Sequence, residues 1–219
     1  MKRRAWVADG DLPRWIQDEV ARVTAKARIP ATLELLQSAA RSFVAGRYGK
    51  ALRDAEQAKE LSPRDATVRE LLGLSAYRLG RWETALRELR TFRRLAGDTT
   101  HMPVEMDVLR ALDRPAAVED AWVTFRRLGG DRSTDLEARV VYGSFLLDRD
   151  DPRKAWQVTG PKKIGDDPSE SDLRVWYVAS RAAARLGDAK TARRLFEAIQ
   201  TSDPAFPGLD ELETAVSSA

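Results

Sequence analysis

The sequence has no cysteine, no asparagine and a single histidine in its 219 residues. The first absence removes disulfides, thiolate metal sites and cysteine nucleophiles together. The second removes N-glycosylation, and one histidine rules out multi-histidine metal centres. Long apolar runs are missing too: the longest lies near Val140–Leu147, far short of a membrane span. Met1-Lys2-Arg3-Arg4 carries the charge of a signal-peptide start, but Asp9, Asp11, Arg14, Asp18 and Glu19 follow and leave no apolar segment. The expectation is a cytoplasmic protein with no membrane partner. No tract is low in complexity, so an ordered chain is expected. Net charge is only +3, so nucleic-acid binding would have to rest on a local patch.

What the chain does contain is a repeat. Gly46-Arg47-Tyr48 recurs as Gly80-Arg81-Trp82, Ala51-Leu52 as Ala85-Leu86 and Leu61 as Leu95, always 34 residues on. In the first copy Leu33, Leu35, Leu36, Phe43 and Val44 make an apolar-rich helix that Gly46 closes. A second helix, Lys50–Leu61, keeps Ala51, Leu52, Ala55 and Ala58 on one face and stops at Pro63. Gly73 sits inside the next predicted helix, Ala66–Leu79, where it costs about 1 kcal/mol relative to alanine. The matching slots hold Ala39, Gly143 and Ser180, all small. Close helix–helix approach is the expected reason.

These residues resemble the tetratricopeptide repeat, whose pattern joins leucine–glycine, a later aromatic, an alanine with a large apolar residue four positions on, and a proline. Leu72-Gly73, Trp82, Ala85 and Leu89 match it, although Ala76 replaces the usual aromatic and no proline stands near Asp98. Trp176, Gly187-Asp188, Ala192, Phe196 and Pro204 match it again within Leu173–Phe206. The resemblance implies an all-α, right-handed solenoid of helix-turn-helix repeats over 32–206, with capping helices at both ends. Its repeats fall at about 32–65, 66–99, 102–135, 136–169 and 173–206. The third and fourth are degenerate. The third has a short first helix, Val104–Leu112, no glycine at its turn, and Pro115 opening its second helix. In the fourth, Gly160-Pro161 cuts the second helix short, and the loop Lys162–Ser171 follows with a bend near 160–171.

Residues 1–31 read as a basic arm and an N-terminal capping helix over about 13–27, with Asp11 as N-cap and Pro13 in the first turn. That helix presents Trp15, Ile16, Val20 and Val23 on one face and ends before Pro30. Residues 207–219 supply the other cap, a helix at about Leu209–Val216, and a tail.

Candidates for chemistry are few. His101 has no sequence-local nucleophile or orienting carboxylate and reads as a solvated loop residue. Asp148, Asp150 and Asp151 lack the glycine and distal glutamate of a calcium loop and read as a turn. Gly129-Gly130 reads as a helix stop, since a phosphate loop needs further glycines and a lysine. No catalytic residue, cofactor or metal site is expected, and the protein is not read as an enzyme.

Surfaces remain. In the family that the repeat resembles, the first helix of each repeat lines a concave groove. Carried onto this chain, the groove includes Glu70, Leu74, Tyr77 and Arg78, then Arg110 and Arg114, then Arg174, Tyr177, Arg181 and Arg185. Arginine with tyrosine suits a peptide or acidic segment, so the first expectation is a scaffold or adaptor binding a peptide or partner protein. A lysine–asparagine clamp for carboxy-terminal peptides, known in one subgroup, is not expected. The chain has no asparagine, and Leu36 and Ala40 take the corresponding groove positions of the first repeat.

The alternative is an RNA-associated factor. Arg78, Arg81, Arg87, Arg90, Arg93 and Arg94 oppose only Glu83 and Glu88, and Arg87, Arg90 and Arg94 share one helix face. Trp82, Leu86, Leu89 and Phe92 read as core, not as base-stacking platforms.

Overall fold

The computed structural model describes residues 12–218, which form twelve α-helices and, among the described residues, no strand. In order these are α1 Arg14–Val23, α2 Ile29–Val44, α3 Tyr48–Leu61, α4 Ala66–Arg78, α5 Trp82–Ala96 and α6 Met102–Ala111. They continue as α7 Pro115–Leu128, α8 Arg132–Asp148, α9 Pro152–Thr159, α10 Glu170–Arg185, α11 Ala189–Ser202 and α12 Leu209–Ser217. Two compact units divide the chain, Met1–Arg114 and Pro115–Ala219. The boundary falls inside the stretch 102–135, between α6 and α7.

One turn recurs in both units. A residue in the left-handed region follows α2, α4, α6, α8 and α10: Gly46, Gly80, Asp113, Asp150 and Gly187. At each, the next residue's N–H reaches back five positions to a helix carbonyl: Arg47 to Ser42, Arg81 to Ala76, Arg114 to Leu109, Asp151 to Leu146 and Asp188 to Ala183. This closes the last helical turn by the Schellman route and sends the chain into the next helix. Aspartate, one of the few non-glycine residues that tolerate positive φ, takes the position where the third and fourth turns lack glycine.

Helix starts follow from side-chain caps. Asp65 accepts the Val68 N–H at 2.9 Å, Asp131 the Thr134 N–H at 2.8 Å and Asp188 the Thr191 N–H at 3.1 Å. Ser169 and Asp172 form a reciprocal capping box at the start of α10.

Two expectations at the N-terminal end change. Helix α1 ends at Val23, and a 3-10 turn, Lys26–Arg28, leads into α2. Pro30 does not stop a helix. It sits in the first turn of α2, where its missing N–H has no intrahelical partner to lose. The proposed Asp11 cap and the basic arm lie outside the described residues. At the other end α12 covers the predicted stretch.

The small-residue slots are close contacts, as expected. A Cβ on Gly73 would stand 2.8 Å from two Leu89 side-chain atoms, and one on Gly143 would stand 2.5 Å from Thr159 Cγ2. Ala39 and Ser180 are fully buried in the equivalent slots. In the first unit α1 packs on α2, each of α2 to α5 packs on its successor, and α2 also meets α4. In the second, α8, α9 and α10 pack mutually, and α11 and α12 pack on α10 and on each other. The core of the second unit joins Trp176, Leu195, Phe196, Ile199, Phe206 and Leu212.

Candidate functional site

In the first unit the residues predicted for the groove are held by neighbours. Glu70 is buried on α4, and its carboxylate lies 2.8 Å from His101 Nε2 at the start of α6. His101 is therefore no solvated loop residue: its side chain is 15% exposed and its ring centroid lies 5.2 Å from that of Phe92. Tyr77 donates its hydroxyl proton to Asp107 at 2.7 Å, and Arg110 reaches the same carboxylate at 3.1 Å. Burial, reinforced by that hydrogen bond, holds the Tyr77 phenol well above its ordinary pKa. It stays neutral and donates. The Arg78 guanidinium covers the Tyr48 ring at 4.5 Å, and Arg114 pairs with Glu83. Leu74 is half-buried. The clamp positions change as well: Leu36 and Ala40 are fully buried in α2, on which α1 packs, and do not line a groove.

Two of the three arginines of the stripe, Arg87 and Arg90, meet buried carboxylates. Glu88, fully buried on α5, is reached by Lys59 at 3.0 Å, Arg69 at 2.5 Å and Arg87 at 3.0 Å. Glu105, buried on α6, is reached by Arg93 at 3.0 Å and Arg90 at 3.9 Å. Arg94 bonds Thr91 at 3.2 Å. Burial pushes the Glu88 carboxyl up, but hydrogen bonds from Arg69 and Lys59 outweigh it and hold the group below its ordinary value. At Glu105 burial wins over Arg93 and Arg90, and the carboxyl is raised. Leu86, Leu89 and Phe92 are core as expected, whereas Trp82 is half-buried, its ring 5.8 Å from that of Tyr77.

The second unit has a mostly apolar opening along α10. A cavity of about 350 Å³ lies along α10, where Val140 of α8, Tyr177 and Val178 of α10, and Phe206 and Pro207 of the α11–α12 turn supply its apolar lining. Its polar lining is Ser144, Glu170, Arg174 and Asp203. Two contacts set the Tyr177 ring: Phe206, with ring centroids 5.8 Å apart, and the backbone at Gly208. Gly208 has φ +87°, and a Cβ there would come within 2.9 Å of the Tyr177 hydroxyl. Both facts call for glycine.

Of the four residues predicted here, Arg174 and Tyr177 line the cavity. Arg181 stands one turn beyond, its guanidinium 5.9 Å from the Tyr177 ring centroid. Arg185 is elsewhere, donating to the Leu147 carbonyl at 2.5 Å and so covering the C-terminal end of α8. Arg174 is engaged, with Glu137 at 3.3 Å and Glu170 at 3.0 Å.

Sequence reasoning missed Glu105, Asp107 and the Phe206–Pro207 wall, and read Glu88 only as a counter-charge to the stripe. A signal existed for the two glutamates. Glu88 lies three residues after Ala85 and four before Phe92, and Glu105 lies three after Met102 and four before Leu109, so each shares a buried face. The acidic turn has become a cap: Asp151 accepts the Lys154 N–H at 3.0 Å, and Asp150 is the left-handed residue. Gly129, at φ +75°, follows the last residue of α7 as the predicted stop. Among the described residues no group of three His, Cys, Asp or Glu side chains is placed to hold a metal ion, and no helix is long and apolar enough to cross a membrane. Compared with protein-family models and with curated proteins, the chain matches none.

Proposed function

We propose that this chain is a non-catalytic interaction scaffold of the tetratricopeptide type, and that the α10 groove of the second unit receives a segment of a partner protein. The observation that carries the reading is the cavity of about 350 Å³ with Tyr177 in its wall. Its size and mostly apolar lining suit one bulky side chain with adjoining backbone, held by an aromatic anchor beside arginines. The five equivalent turns support the repeat assignment, since the same closing turn recurs after α2, α4, α6, α8 and α10.

The test is to fill the cavity. Ser144→Trp on α8 places an indole where the partner side chain would sit. Proteins captured from native lysate by the unaltered chain should be lost by Ser144→Trp and kept by Arg90→Ala on α5, with helicity checked by circular dichroism. Partners that survive a filled cavity would place the binding surface elsewhere.

A further inference from the structure

The charges along α10 are arranged in order, and the order specifies a ligand. This step rests on the groove reading above. Two carboxylates line the cavity, Glu170 and Asp203; Glu170, at the start of α10 and three-quarters exposed as a side chain, meets Arg174 through Oε1 alone and so keeps Oε2 for a ligand. Apolar surface follows at Tyr177 and Val178. Arg181 comes next, its guanidinium 5.9 Å from the Tyr177 ring centroid and paired with no carboxylate among the described residues. Its neighbour Arg174 differs, being tied to both Glu137 and Glu170. A guanidinium over an aromatic face keeps its edge N–H donors free for a carboxylate.

We infer that the groove reads a dipolar peptide: a bulky apolar residue flanked by an acid on the Arg181 side and a base on the Glu170 side. Helix geometry sets the spacing. At about 1.5 Å per residue, Arg181 lies about 6 Å beyond Tyr177 along α10 and Glu170 about 10 Å before it. An extended peptide advances about 3.3 Å per residue. The acid therefore stands about two positions from the apolar residue, and the base about three positions away on the other side. A segment with these charges reversed meets like charge at both ends.

The probe is a positional-scanning library of end-blocked peptides around a fixed leucine, read by fluorescence polarisation against the full chain. Aspartate or glutamate should be selected about two positions to one side of the leucine, and lysine or arginine about three positions to the other. Replacing the leucine by serine should weaken the best peptide about thirtyfold. Arg181→Glu should weaken it about tenfold, and lysine in place of the peptide's acid should restore binding to that variant. If Arg181→Glu does not fold, Arg181→Gln removes the charge alone and should flatten the acidic preference. Leucine-dependent binding with no charge preference, or one that Arg181 variants leave unchanged, overturns the dipolar reading and spares the groove. Binding indifferent to leucine, or none, overturns the groove itself.

Discussion

The two units use the same helix-closing turn but fill their interiors differently. The first buries Asp65, Glu70, Glu88 and Glu105, whereas no carboxylate is buried among the described residues of the second. Burying a carboxylate is costly unless cations and hydrogen bonds meet it, so the first unit commits Lys59, Arg69, Arg87, Arg90 and Arg93 to Glu88 and Glu105. The second packs apolar and small side chains around Trp176, and its arginines lie outside that core. Charge that a fold consumes is not available to a ligand. That difference directs attention away from the arginine-rich stripe and toward α10.

The comparison breaks most readily at Glu88. Removing it with Glu88→Ala leaves Arg69, whose side chain is only 14% exposed, without its closest anion. The expected loss is about 3–5 kcal/mol in urea unfolding, with faster amide exchange in α4 and α5. A surface pair of the second unit provides the contrast. Arg132 and Asp172 meet at 2.8 Å but Arg132 is 72% exposed, so Arg132→Ala should cost under about 1 kcal/mol. Equal losses would mean that the two units handle charge alike.

Tryptophan sharpens the same contrast. Trp176 is 5% exposed within the core of the second unit, and Trp176→Ala should cost about 3–5 kcal/mol. Trp82 occupies the repeat's aromatic position but is half-buried against Tyr77, so Trp82→Ala should cost only about 1–2 kcal/mol. The repeat pattern alone would place Trp82 fully in the core. A large loss there would restore that view.

These residues mark what sequence can and cannot carry. Periodicity and the 34-residue offset place the helices, and the costly glycine at Gly73 correctly signals contact with Leu89. Turn glycines are legible because only the left-handed conformation requires them, while Asp113 performs the same task without announcing it. A charged residue on an apolar face has two readings, surface or buried pair. Spacing shows the face but not the cation that arrives from another helix, as Lys59 does 29 residues before Glu88. The cavity is illegible for a related reason. Its wall at Phe206 and Pro207 straddles the end of the last predicted repeat and has no counterpart in the repeated pattern.

Titration separates the two buried glutamates within the first unit. The folded Glu88 carboxyl lies below its ordinary value of 4.5, so its stabilisation is present above that value and drains away as pH falls through the folded pKa. Glu105 is raised, so its contribution is full below 4.5 and is lost as pH rises through the folded pKa. Urea midpoints between about pH 3 and 7 should show the penalty of Glu88→Gln growing toward neutrality and that of Glu105→Gln shrinking. Parallel profiles would show that one network does not split the two sites.

The smallest expected effect is at the residue with the most to say about function. Arg181 is half-buried, lies 5.9 Å from the Tyr177 ring centroid and forms no ion pair among the described residues, and an exposed contact of this kind is worth about 0.5–1 kcal/mol. Arg181→Ala should therefore leave the unfolding midpoint close to that of the unaltered chain, unlike any change at Arg69 or Glu88. A fold that loses little when a cation is removed has not used that charge for its own stability. The guanidinium over Tyr177 is then available to a carboxylate that the chain does not supply. A large loss of stability on Arg181→Ala would show instead that the second unit, like the first, consumes its charge internally.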